Sequence, residues 1–132
     1  KPFIYDQLEI QAPINGLYTA IQHTEHDWIQ LVSCDLPLID ADVFQILWNT
    51  KTQESNVVIP LTNNQHQVTC ALYHRRILNY LESAIDKNDL SLLSLIKNLK
   101  TTKVNFNSDK RFWNMNTKKN LVEISNYLAN KL

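Results

Sequence analysis

The spacing of apolar residues changes from segment to segment along the chain, and these changes predict strands that alternate with helices. Short apolar or alternating runs predict strands, at residues 28–34, 56–59, 67–72 and 104–106, with the end of a further strand at 3–6. Apolar residues spaced by three or four positions predict helices, at residues 17–23, 40–49, 74–85, 90–99 and 117–132. This order of elements is typical of βαβ units with right-handed crossovers.

The pattern therefore predicts an α/β fold, with a Rossmann-like, mostly parallel sheet and flanking helices. At 132 residues the chain has the length of one domain, and we expect residues 1–132 to form a single domain. The polar stretch 86–89 is interpreted as a connection between two helices and not as a linker between domains.

Composition narrows the classes of partner. The 13 basic and 13 acidic residues balance, so we expect neither nucleic acid nor an anionic membrane as a partner. No apolar run approaches the ~20 residues of a membrane span and no signal-peptide pattern is present, which predicts a soluble, cytoplasmic protein. Cys34 and Cys70 lie in apolar runs and are expected to be reduced core thiols.

The chain contains a single glycine, Gly16, where an average domain has roughly 7% glycine. A glycine-rich phosphate-binding loop cannot be built from these residues. If the protein binds phosphate, it must use side chains, helix N-termini or a segment outside this chain.

Two aspartates follow predicted strands and are the main candidates for chemistry. Asp35 comes directly after the strand at 28–34, and Asp6 ends the strand at 3–6. Ligands of open α/β sheets bind beyond the carboxyl ends of strands, and ionised carboxylates there suit a hard cation such as Mg²⁺. The alternative is that each aspartate only stabilises a local turn.

Polar residues before the last predicted helix form a second candidate. Asn116 or Thr117 can cap that helix, which leaves Asn114 without a structural reason. A metal site at His23 and His26, or a phosphate site at the exposed pair of arginines at 75–76, is less favoured than a solvated helix end.

Four segments in this order resemble the MobA-type nucleotidyltransferases, specifically molybdenum cofactor guanylyltransferase. They are Asp6 with Ala-Pro-Ile-Asn-Gly-Leu at 12–17, Cys-Asp-Leu-Pro at 34–37, Ala-Leu-Tyr at 71–73, and Phe-Trp-Asn-Met-Asn-Thr at 112–117 with Leu121. The resemblance covers nearly the whole chain, and four motifs in order are much more specific than any one of them.

The resemblance implies a Mg²⁺-dependent transfer of GMP from GTP to molybdopterin, with release of pyrophosphate. It implies that Asp35 is catalytic, binds the metal and contacts the nucleotide. It further implies that Asp6 and Gly16 bind the nucleotide and that Asn114 and Asn116 serve the molybdopterin side. Proteins that carry molybdopterin are possible partners.

The chain also departs from the family pattern. Ala12 replaces a glycine of the turn, and Lys-Lys-Asn at 118–120 replaces proline and acidic residues. The family's opening strand and glycine-rich loop, which hold the triphosphate, are missing. We therefore expect this chain to be the C-terminal part of a longer nucleotidyltransferase polypeptide and to be inactive alone.

Two alternatives stay open. The protein is a related cytidylyltransferase or sugar-phosphate nucleotidyltransferase, or it is a catalytically silent scaffold that keeps the fold and binds a partner. The missing loop and Ala12 favour the scaffold, whereas the paired asparagines favour the molybdopterin branch.

Overall fold

The structure, a computed structural model, describes residues 13–32, 38–107 and 109–112. Its helices are α1 (Pro13–His23), α2 (Ala41–Thr50), α3 (Leu78–Asp86) and α4 (Leu92–Ile96). Its strands are β1 (Trp28–Leu31), β2 (Val57–Thr62), β3 (Gln65–His66), β4 (Ala71–His74) and β5 (Thr101–Asn105). Two 3₁₀ turns, Arg75–Ile77 and Lys110–Phe112, precede α3 and follow β5.

The five strands form one sheet with the order β1-β4-β2-β5, and β3 pairs with the last residues of β2 beside β4. β4 is antiparallel to both of its neighbours, with Trp28 opposite His74 and Val57 opposite Tyr73. β5 is parallel to β2, with Val57 opposite Thr101. The described part of the chain therefore confirms the α/β class with flanking helices.

The prediction of a mostly parallel sheet needs one correction. β1, β2 and β5 run in the same direction, but β4 lies between β1 and β2 and runs against them, so β2–β5 is the one parallel pairing among the described strands. The reason is a two-residue turn at Asn63 and Asn64, whose φ angles are 49° and 65°. Such a turn reverses the chain into a hairpin, whereas a parallel neighbour would need a crossover.

The strand predicted at 67–72 starts too early. The first residues of that range form a turn, in which Cys70 N donates to Gln67 O at 3.1 Å, and β4 begins only at Ala71, after the short β3 that precedes the turn. β2 extends beyond the predicted 56–59, and β5 begins before the predicted 104–106. The predictions for 3–6 and 117–132 lie outside the described residues.

Helices pack on both faces of the sheet because β2 is apolar on both. Val57 and Ile59 face α1, α3 and α4, whereas Val58 faces α2 together with Phe106 and Phe112. Cys70 is fully buried on the α2 side and is a free thiol, as the sequence predicts. Cys34 lies outside the described residues.

Local signals fix the helix starts. Asp40 Oδ1 accepts a hydrogen bond from Val43 N at 3.2 Å, and Ser91 Oγ accepts one from Ser94 N at 3.1 Å, as N-caps do. α4 is shorter than the predicted 90–99, because Asn98 and Leu99 bond three residues back and so leave the α-helical pattern. In the described ranges, no helix is long and apolar enough to cross a membrane.

Candidate functional site

The carboxyl ends of β1, β2 and β5 lie at the same edge of the sheet, because these three strands run in one direction. We call this edge the carboxyl edge. β1 and β5 are separated by β4 and β2, and three strand spacings amount to about 14 Å. Ligands of open α/β sheets bind outside this edge, which makes it the candidate site.

Four of the five predicted site residues lie outside the described ranges: Asp6, Asp35, Asn114 and Asn116. Their placement therefore stays a prediction. In sequence, the segment 33–37 follows β1, and residue 113 follows the 3₁₀ turn after β5. The segments that carry Asp35 and Asn114 thus continue from two elements whose ends are at the carboxyl edge.

Gly16 is the fifth predicted site residue, and it is the fourth residue of α1. The helix predicted at 17–23 starts earlier than expected: it begins at Pro13, a residue favoured at the first helical position. Gly16 is half-buried and does not have a positive φ. Backbone freedom therefore does not explain this glycine, which leaves close approach of another group as a reason for the missing Cβ.

Asn15 precedes Gly16 and is fully buried. Within the described residues, neither its amide nitrogen nor its amide oxygen has a hydrogen-bond partner. Ile14 and Leu17 on the same turn belong to the apolar core. A buried amide without partners costs free energy of folding, so the first turn of α1 contains a destabilising group.

Arg111 joins the start of α2 to the turn after β5. Arg111 Nη1 lies 3.2 Å from Asp40 Oδ1 and 3.0 Å from Asp42 Oδ2, at the start of α2. Its Nη2 lies 2.8 Å from Asp109 Oδ2, and its Nε lies 3.1 Å from Asp109 Oδ1. The hydrogen bonds to Asp109, followed by those to the α2 side, raise the pKa of Arg111, so the guanidinium stays charged.

Two of the histidines and arginines weighed in the sequence, His23 and Arg76, lie within hydrogen-bond distance of backbone carbonyl oxygens. His23 ends α1 with its Nδ1 2.9 Å from Thr19 O, and His26 is exposed. Arg76 Nη2 donates to the carbonyl oxygens of Gln53 and Ser55, both at 3.2 Å. The described part of the chain contains no group of three potential metal ligands.

His74 Nδ1 accepts a hydrogen bond from Arg76 N at 3.0 Å and so caps the 3₁₀ turn before α3. Burial, with Arg76 as the next cause, lowers the pKa of His74. The imidazole is therefore neutral at neutral pH and is able to accept this bond. His74 therefore stabilises the start of the 3₁₀ turn that leads from β4 into α3.

A cavity of about 350 Å³ opens between α2 and the sheet, within the size range of small-molecule sites. Phe44, Trp48 and Leu72 supply apolar walls, and Gln30 and Gln45 supply amide groups. Trp48 is 45% exposed and carries Lys51 Nζ 4.1 Å from its ring centroid. The cavity runs along α2, and none of the described residues that line it is charged.

Sequence reasoning missed the cluster around Arg111. Asp40 was recognisable as the start of a predicted helix, since apolar residues follow it at helical spacing. Its pairing with Arg111 joins residues 71 positions apart, and no local pattern in one sequence indicates such a pair.

The family model of the MobA-like NTP transferase domain matches residues 1–103. The chain belongs to this family, as the four ordered motifs predict. The match includes the Asp6, Gly16 and Asp35 positions, and it ends before the segment that contains Asn114 and Asn116.

Relatives with assigned names agree with this family. The chain is 28% identical over 116 residues to the molybdenum cofactor guanylyltransferase of Vibrio campbellii, a match that covers 87% of this chain and 60% of that protein. The chain thus spans about 60% of the length of this relative.

Solved structures share the fold. Molybdopterin-guanine dinucleotide biosynthesis protein A of Archaeoglobus fulgidus matches with a TM-score of 0.80 at 20% identity, over 98% of this chain and 69% of that one. The 2-C-methyl-D-erythritol 4-phosphate cytidylyltransferase of Francisella tularensis matches with a TM-score of 0.68 at 16% identity, over 89% and 68%. At these identities the likeness concerns the fold alone.

Proposed function

We propose that the complete protein is a molybdenum cofactor guanylyltransferase, which transfers GMP from GTP to molybdopterin in the cytoplasm. The observation that carries this proposal is the alignment of a guanylyltransferase over 87% of the chain. The shared direction of β1 and β5 supports it, because the segments with Asp35 and Asn114 then continue from one edge of the sheet.

In this proposal the reaction is a substitution at the α-phosphorus of GTP. A terminal phosphate oxygen of molybdopterin forms a bond to that phosphorus, the bond to the bridging oxygen of the β-phosphate breaks, and pyrophosphate leaves with the electron pair. Asp35 would hold Mg²⁺, a metal that prefers carboxylate oxygens and neutralises phosphate charge. Asp6 and Gly16 position the nucleotide, and Asn114 and Asn116 position the acceptor, so that the two phosphates meet in line.

The protein itself forms no covalent bond in this scheme. Its contribution is to hold two anionic substrates at a fixed separation, which is the main requirement of phosphoryl-type transfers. Rigid support for the segments around Asp35 and Asn114 is therefore as important as the residues themselves.

Two other functions are distinguishable by experiment. A cytidylyltransferase is favoured by the fold of the Francisella tularensis enzyme, and a silent scaffold is favoured by Ala12 in place of the turn glycine. Both would retain the sheet and its carboxyl edge, but neither would consume GTP in the presence of molybdopterin.

The test is to incubate the complete protein with Mg²⁺, molybdopterin and either GTP or CTP, and to measure pyrophosphate release together with the dinucleotide product. We expect product from GTP and at least tenfold less from CTP. Preferential use of CTP would assign a cytidylyltransferase, and nucleotide binding without product from either would assign a scaffold. The 132-residue chain alone, assayed in parallel, should form no product.

A further inference from the structure

Arg111 connects two segments that are distant in sequence and adjacent to predicted site residues. Asp40 and Asp42 lie at the start of α2, five and seven positions after Asp35, and Arg111 precedes Asn114 by three positions. The connection thus joins the start of α2 to the turn after β5.

The geometry directs the guanidinium towards α2. Asp109 contacts both Nε and Nη2 of Arg111, and its Oδ1 also accepts a bond from Arg111 N at 2.9 Å. A two-point contact of this kind fixes the plane of the guanidinium. Nη1 is then left to reach Asp40 and Asp42.

The turn that carries Arg111 is anchored in the core. Phe112 is 7% exposed, and its ring centroid lies 5.2 Å from that of Phe106, the residue that directly follows β5. The side chain of Arg111 is 22% exposed, and so is that of Asp109, whereas Asp40 and Asp42 are 55% and 68% exposed. The bridge therefore has a rigid end on β5 and a solvated end on α2.

Stability alone does not account for this arrangement, since ion pairs with exposed carboxylates contribute little to the free energy of unfolding. An effect on the placement of reacting groups is larger, because a displacement of about 1 Å between them costs up to 10²-fold in rate. The contacts of Arg111 are suited to fix the distance between the start of α2 and the turn after β5.

We infer that Arg111 is a positioning residue, which holds the start of α2 at a fixed distance from the turn after β5. This inference rests on the proposed function, because that function assigns the nucleotide to Asp35, which precedes α2 in sequence, and the acceptor to Asn114, which follows Arg111. Arg111 touches neither substrate in this account. It acts through Asp40 and Asp42, which hold α2, and through its own link to β5.

The test uses Arg111→Met, which keeps the aliphatic part of the side chain and removes the guanidinium, and Arg111→Lys, which keeps the charge. In the complete protein we expect Arg111→Met to lower kcat for guanylyl transfer by 10- to 100-fold, with the dissociation constant of GTP within twofold of wild type. Arg111→Lys should recover part of this loss. Asp42→Asn should give a smaller loss, and adding it to Arg111→Met should change nothing further.

The matched control is Lys100→Met, which removes the exposed pair of Lys100 Nζ with Glu54 Oε2, 3.7 Å apart, just before β5. It should leave kcat unchanged. Amide hydrogen exchange without substrates gives a readout independent of activity: Arg111→Met should speed exchange at the start of α2 and around residues 109–112, but not in β2.

The outcomes separate the two claims. If wild type transfers GMP and Arg111→Met matches its kcat, or loses GTP affinity in proportion to a lower Tm, the positioning role is refuted and the proposed function stands. If wild type shows no transfer, the proposed function and the role of Arg111 in it both fail. Amide hydrogen exchange still reports whether Arg111 holds the start of α2 against the turn after β5.

Discussion

The hydroxyl oxygens of Ser55 and Thr102 lie 2.6 Å apart, in a hydrogen bond that joins the turn before β2 to β5. Ser55 is 2% exposed, and its hydroxyl also accepts a bond from Thr52 N at 3.0 Å. This contact fixes the register of the one parallel strand pair in the described sheet at its starting end.

Ser55→Ala should therefore lower the free energy of unfolding by about 1–3 kcal/mol, because it leaves buried partners without a hydrogen bond. Urea unfolding of the complete protein measures the change. Ser83→Ala, at an exposed position in α3, is the control and should stay within about 0.5 kcal/mol of wild type. Equal stability of the two variants would contradict the structural role of Ser55.

The elements that were correctly predicted have local causes. α2 was predicted because Asp40 precedes apolar residues at helical spacing, and Val43, Phe44 and Leu47 do form its buried face. The β2–β3 hairpin was missed, since Asn63 and Asn64 were not recognised as a turn pair. Asparagine tolerates positive φ, and this chain uses it where glycine is more common.

The candidate site residues come from the sequence, whereas the contacts that could support them come from the structure. Asp35 and Asn114 are candidates because motifs of a known family surround them, and both stay predictions, since they lie outside the described residues. The bridge of Arg111 to Asp40 depends on folding 71 positions of chain back to one edge of the sheet. One sequence does not show which residues so far apart come into contact, so the cluster is recognisable only in the structure.

Gly16→Ala should act in opposite directions on stability and on nucleotide binding. Alanine is more favourable than glycine inside a helix by about 1 kcal/mol, so α1 should become more stable. The added Cβ should also obstruct the nucleotide if Gly16 is there for close approach. Thermal unfolding with and without GTP and Mg²⁺ measures both effects.

Ala20→Gly, one turn later in the same helix, is the matched control and should lower stability without changing GTP affinity. If Gly16→Ala leaves the nucleotide-induced rise in Tm as large as in wild type, Gly16 has no role in the nucleotide site.

Asn15→Leu should raise the free energy of unfolding by about 1–3 kcal/mol, since it replaces a buried, unpaired amide with an apolar side chain of similar size. Urea unfolding of the complete protein is again the measurement. A loss of stability instead would mean that the amide gains hydrogen bonds in solution, for example from an ordered water.

Cys70 should be unreactive in the folded protein. Burial raises its pKa from 9.0 to about 12, so almost no thiolate forms at pH 8. In a Cys34→Ser background, a thiol reagent at pH 8 should label the protein only after urea is added. Rapid labelling without urea would show that the α2 side of the sheet is open.

The same shift predicts alkaline instability. As the pH rises through 9, the unfolded thiol loses its proton while the folded one keeps it until about 12. Stability should therefore fall between pH 9 and 12. Cys70→Ala should weaken this fall, and an unchanged pH profile would contradict the assigned cause.

The central claim is that Asp35 supports metal-dependent guanylyl transfer in the complete protein. The most direct measurement is transfer of labelled GMP from GTP to molybdopterin, in wild type and in Asp35→Asn, across a series of Mg²⁺ concentrations. We expect Mg²⁺-dependent transfer in wild type and a loss of at least 100-fold in the variant, with an unchanged Tm. Transfer by Asp35→Asn at the wild-type rate would contradict the account.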